Sequence, residues 1–159
     1  MATTVKRTIK IKKYLDIVEE YTADAAITPG HLLELTTTGV KVHATAGGNV
    51  KGHLFALEDE LQGNGIATAY AVSAKTQVWV AQRGEQVYAL LANGETATIG
   101  MQLESAGDGT LQEHTPDVDS ASDVTTIYGN QIVGIALEAV DMSGSSAVDP
   151  NGRIKIMVI

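Results

Sequence analysis

Short apolar runs, each closed by turn residues, are the feature that most constrains this chain. Residues 32–35 and 40–44 are joined by Thr36-Thr37-Thr38-Gly39. Ala46-Gly47-Gly48-Asn49 precedes the run 52–58, and Gly63-Asn64-Gly65 precedes 66–72. Arg83-Gly84-Glu85 separates Val78-Trp79-Val80 from 87–91, and Asn93-Gly94 separates 87–91 from 96–103. Asn-Gly between apolar runs is the strongest short hairpin signal. Gly107-Asp108-Gly109 predicts a second hairpin into 110–113, and the runs 132–140 and 154–159 close the chain. Runs this short have no room for helices, so the pattern predicts an all-β domain, a barrel or a sandwich. The run 154–159 is apolar at nearly every position, which suits a strand buried on both faces or in a subunit contact. Phe55-Ala56-Leu57-Glu58 is echoed by Ile135-Ala136-Leu137-Glu138.

At 159 residues the chain fits one domain, and a chain of this size buries roughly 70% of its unfolded surface. Aromatics are only 4%, with one Trp and one Phe, so the core must come from Val, Ile, Leu and Ala. A core of small residues is thin, and oligomerisation would bury more apolar surface. The absence of cysteine excludes disulfides and thiolate metal sites. The N-terminus lacks the apolar stretch of a signal peptide, and no apolar run has the length of a membrane span. Synthesis in a cytoplasm is the expectation.

Charge is distributed unevenly. Residues 1–13 hold Lys6, Arg7, Lys10, Lys12 and Lys13 and no acid, while all 19 acids lie in 14–159. Ile9 and Ile11 alternate with Lys10 and Lys12, the period of an extended strand rather than a helix. This divides the chain into an extended basic arm, 1–13, and a β-rich domain, 14–159. A solubilising tail needs no β pattern, so the arm reads as a segment that adds to a partner's strand edge. Deleting it is then expected to leave the body folded. A net charge of −8 argues against nucleic acid or an anionic membrane as partner of the body. Residues 14–21 could form an amphipathic turn with Tyr14, Ile17, Val18 and Tyr21 on one face. Residues 115–123 and 141–152 are polar and turn-rich and read as exposed loops.

No pattern of catalytic chemistry emerges. His43 shares a strand face with Lys41 and is expected on a solvated face; His31 and Glu34 need not converge. Asp117, Asp119 and Asp123 are spaced like a Ca²⁺ loop, but Ser122 stands where that loop needs Gly and Tyr128 where it needs Glu. Ser143-Gly144-Ser145-Ser146 is not a nucleophile elbow, and residues 47–52 lack phosphate-loop spacing. Glu58-Asp59-Glu60 reads as a solvated strand end. No enzyme activity, cofactor or metal is expected.

The order of several short motifs resembles the capsid decoration, or cement, proteins of tailed bacteriophages. They are Ile27-Thr28-Pro29-Gly30-His31-Leu32-Leu33-Glu34-Leu35, then Val40-Lys41-Val42-His43-Ala44, Phe55-Ala56-Leu57-Glu58, and Arg83-Gly84-Glu85-Gln86-Val87-Tyr88-Ala89. The last is Ile132-Val133-Gly134-Ile135-Ala136-Leu137-Glu138-Ala139-Val140-Asp141. The resemblance implies a compact β fold, a small β-barrel or tulip, without an active site. It implies a homotrimer on the outer capsid surface, at threefold and quasi-threefold positions, clamping neighbouring major capsid subunits of the expanded head. By analogy, Lys6, Arg7, Ile9, Lys10, Ile11, Lys12 and Lys13 would form the capsid-binding arm. The competing expectation is a β-domain that binds a glycan or host receptor through exposed Tyr70, Trp79, Tyr88 or Tyr128.

Overall fold

A computed structural model describes residues 6–119, 124–126, 130–144 and 152–159. Its strands are β1 (Lys10–Lys12), β2 (Val18–Thr22), β3 (Leu32–Leu35), β4 (Val40–Val42), β5 (Leu54–Ala56), β6 (Lys75–Val80) and β7 (Gln86–Leu90). They continue as β8 (Thr96–Ala97), β9 (Gln102–Ser105), β10 (Leu111–Glu113), β11 (Asp117–Asp119) and β12 (Val124–Thr126). The last three are β13 (Ile132–Ala136), β14 (Val140–Asp141) and β15 (Arg153–Val158). A six-stranded sheet runs β1-β7-β15-β13-β9-β10, and a five-stranded sheet runs β2-β6-β5-β3-β4. Two small ladders, β11-β12 and β14-β8, complete the all-β architecture.

The sheets do not close into a barrel. Among the described residues no ladder joins β1 or β10 to β2 or β4, so the closure a barrel requires is absent. Instead the sheets pack face to face. Leu32, Phe55 and Trp79 are in register across β3, β5 and β6 and share one face. They join Val87, Ala89, Ile154 and Ile156 of the six-stranded sheet in the main core. Each such side chain, when fully buried, contributes roughly 1.5–3 kcal/mol. The other face of the five-stranded sheet carries a second core of Leu33, Val40, Leu54, Ala56 and Val78, covered by Ala23, Ile27 and Tyr70. With apolar contacts on both faces, β5 is buried at every position and shows no alternation. β15 lies between β7 and β13 and is buried at four of its six positions, as its apolar sequence suggested.

The Thr36–Gly39 turn and the Gly107–Gly109 turn join antiparallel neighbours, β3 with β4 and β9 with β10. Asn93-Gly94 does not make a hairpin. Gly94 turns the chain at φ +89°, but β8 then pairs with β14 and β9 with β13 and β10. Residues 14–21 are not a helical turn either: Val18–Thr22 is a strand paired with β6. The loop expected over 115–123 contains β11, which pairs with β12, while residues 120–123 lie outside the described residues. In the loop expected over 141–152, Asp141 belongs to β14 and Met142 is buried, while residues 145–151 lie outside the described residues.

Arg153 ties the fold together from β15. Its guanidinium donates to the carbonyls of Pro29 at 2.7 Å and Ile66 at 2.6 Å and lies over the Tyr88 ring. Burial lowers its pKa. A Cβ on Gly30 would stand 2.3 Å from this guanidinium, and Gly30 also has φ +94°, so glycine is required on both counts.

Candidate functional site

The first described segment does not project from the body. Ile9 is fully buried in the main core, and β1 pairs with β7. Ile11 is half-buried, while Arg7 and Lys12 are exposed. Lys6 is 3.5 Å from Glu138, and Lys10 and Lys13 both reach Asp16. Those two lysines lower the pKa of Asp16. Removing residues 1–13 would therefore cut through the core at Ile9.

Body carboxylates hold this segment. Glu58 Oε2 accepts the Ile9 N–H at 3.1 Å. Glu85, fully buried in the β6–β7 turn, accepts Tyr14 N–H at 2.6 Å and Leu15 N–H at 2.9 Å through Oε1. Its Oε2 accepts Gln82 N–H at 2.7 Å. The Trp79 indole N–H points at the Leu15 carbonyl from 3.5 Å. Three backbone donors on one carboxylate fix the turn against the body while its side chains face solvent.

The result is a rim with an apolar surface. Tyr14, Leu15, Ile17 and Val18 are exposed by 65%, 56%, 42% and 37%, and Leu61 by 93%. β1 and β2 are the terminal strands of their sheets and flank this turn. Between them opens a cleft of about 200 Å³ whose lining includes Lys10, Val18, Leu57, Asp59, Glu60 and Leu61. An open strand edge offers unpaired N–H and C=O groups to another chain, and here two such edges lie beside exposed apolar residues.

Among the described residues the remaining sequence candidates do not assemble into a chemical site. His43 is buried rather than solvated, because β4 ends at Val42 and the ring turns inward to Ser105 Oγ at 2.8 Å. His31 Nδ1 accepts Thr28 N–H at 3.1 Å, and burial lowers its pKa to about 4. Glu58 and Asp59 are buried, not a solvated strand end: Glu58 binds Ile9, and Asp59 caps the short turn Glu60–Gln62. His114 and Glu104 form a buried pair at 2.6 Å. Among the described residues no cluster of His, Asp or Glu suits a metal ion; Asp123 lies outside them. Of the proposed sugar-stacking aromatics, Tyr70, Trp79 and Tyr88 are buried, and Tyr128 lies outside the described residues. Among the described residues no helix is long and apolar enough to cross a membrane.

Sequence reasoning missed Glu85 and Leu61. Glu85 looked like an ordinary turn residue, and a lone Leu after Glu58-Asp59-Glu60 carries no period that separates exposed from buried.

No known protein family and no curated protein matches this sequence. Among solved structures, the chain is similar in fold to the N base of head fiber gp8.5 from bacteriophage phi29. The TM-score is 0.53 at 13% identity, over 91% of this chain and 95% of that one.

Proposed function

We propose that this chain is a structural virion protein that binds the outer surface of an expanded phage capsid and clamps neighbouring major capsid subunits. The observation that carries the reading is the rim: Tyr14, Leu15, Ile17, Val18 and Leu61 exposed together beside two open strand edges. The fold likeness to a phage head-fiber base supports a place in the virion. The docking surface comprises the exposed turn and the basic segment Lys6, Arg7, Ile9, Lys10, Ile11, Lys12 and Lys13. Ile9 anchors it from within, while Arg7 and Lys12 face outward. The chain acts as a homotrimer at threefold and quasi-threefold positions. Linking three modest contacts raises avidity by roughly 10² to 10⁴. Because the trimer binds only the expanded shell, it stabilises that state by mass action.

The test is co-sedimentation with expanded heads that lack the protein, across a salt series. Saturable binding in a fixed ratio to capsid subunits is expected. Combining Tyr14→Ser, Leu15→Ser and Ile17→Ser should weaken it without changing the melting temperature, since all three side chains are exposed. No binding by the unaltered chain would sink the capsid reading.

A further inference from the structure

The open edge at β2 has a chemistry of its own. Its register with β6 runs unbroken from Val18↔Trp79 to Thr22↔Lys75. At either end, Val80 N–H donates to the Ile17 carbonyl and Ala23 N–H to the Ala74 carbonyl, both at 2.9 Å. Opposed residues in an antiparallel ladder alternate between bonded and non-bonded pairs. Glu19 and Tyr21 therefore bond inward to β6, and Val18, Glu20 and Thr22 turn their N–H and C=O groups outward. Among the described residues no backbone hydrogen bond reaches those of Val18 and Glu20, while the Thr22 carbonyl is packed against Gly39. β1 is blunter: three residues, two of them lysine, with a register shift between Lys10 and Lys12.

Side chains along β2 specify what can pair there. Val18 lines the cleft with Leu57 and Leu61, and its charged lining comprises Glu58, Asp59 and Glu60 against Lys10. Glu19 and Glu20 are exposed; Lys75, 4.0 Å from Glu20, is the basic group on the neighbouring strand. A strand laid along this edge meets an apolar position at Val18, two acids at Glu19 and Glu20, and the half-buried Tyr21.

We infer that β2 accepts an extended segment of a partner protein in which two adjacent basic residues are flanked by aliphatic ones. The backbone pairs with the outward groups of Val18 and Glu20. One aliphatic side chain fills the cleft beside Leu61, and the basic pair meets Glu19 and Glu20 as cross-strand neighbours. This rests on the reading that the rim meets another protein, and it names the chemistry of that protein's contact.

The probe is a fluorescein-labelled peptide of roughly strand length, threonine-valine-lysine-lysine-isoleucine-threonine, with a control carrying glutamate for lysine. Fluorescence anisotropy should show saturable, salt-sensitive binding of the lysine peptide and none of the control. Glu20→Pro removes an outward N–H together with one of the two carboxylates, at an exposed edge position that tolerates proline, and should weaken binding at least about tenfold with little change in melting temperature. Glu19→Lys combined with Glu20→Lys, both at exposed positions, should reverse the preference toward the glutamate peptide. Equal binding of both peptides, binding of neither, or full binding by the folded Glu20→Pro variant would overturn the inference. So would a concentration-dependent oligomer dissolved by Glu20→Pro, which would name a second copy as the occupant. Head binding without peptide binding would remove this inference alone; peptide binding without head binding would remove the capsid reading alone.

Discussion

On one side of the molecule the two sheets are joined by backbone, and on the other by carboxylates. At the closed side the β9–β10 turn crosses to the five-stranded sheet: Leu32 N–H donates to Gly109 at 2.8 Å and Gly109 N–H to His43 at 3.1 Å. β10 is further covered by a bridge between Leu91 and Leu111, and β4 by one between Ala23 and Val40. A Cβ on Gly109 would lie 2.9 Å from Val42, which measures how closely this turn is pressed against the sheet. At the open side, β1 and β2 end their sheets, and Glu58 and Glu85 hold the connecting segment by side-chain contacts. Stitching by backbone consumes the edge groups. Stitching by carboxylates leaves the outward groups of Val18 and Glu20 and the apolar turn open to solvent, so the rim is fastened without its edge being consumed.

The comparison breaks most visibly in the closed side. Leu111 is fully buried in β10, and Leu111→Ala should cost about 3–4 kcal/mol through lost burial and the cavity left behind. Urea denaturation measures this; a change near zero would mean the closed side is not the stable one.

Next in size is an acid sensitivity on that side. His31 lies under the Gly109 turn, and its folded pKa is about 4, below the ordinary 6.5. The unfolded chain takes up this proton first as pH falls, so folded stability decreases from about pH 6.5 down to about pH 4. The shift corresponds to about 3 kcal/mol across that interval. His31→Asn should flatten stability against pH there; an unchanged slope would assign the acid sensitivity elsewhere.

The smallest global effect belongs to the open side. Glu85→Ala orphans three N–H groups, of which those of Tyr14 and Leu15 can rehydrate at the rim, so about 2 kcal/mol should be lost. Hydrogen exchange sharpens the result. The Tyr14 and Leu15 amides should exchange much faster while those of β9 and β10 stay protected. Uniform acceleration would show that the rim is not an independent unit.

Much of the fold was legible in the residues. Turn residues at Thr36–Gly39 and Gly107–Gly109 join strands adjacent in sequence, where geometry is local. Asn93-Gly94 carries the same signal but separates strands that each pair with distant partners, because both edges of β7 are taken by β1 and β15. The repeated Phe55–Glu58 and Ile135–Glu138 motifs share a role: Glu58 accepts the Ile9 N–H, and Glu138 accepts the Lys155 N–H at 2.8 Å. The site was half legible. Lysines alternating with Ile9 and Ile11 marked a strand at an edge, yet nothing in that alternation says whose sheet it joins.

By itself, then, the sequence determined an all-β chain with a basic first strand and an acidic remainder, since strand period, turn residues and charge are properties of neighbouring residues. Only the tertiary structure decided that Ile9 is core, that Glu85 is a buried clamp and that Leu61 is exposed. Those outcomes depend on which faces of β1, β6 and β7 come together, and burial of one residue is set by residues far from it along the chain.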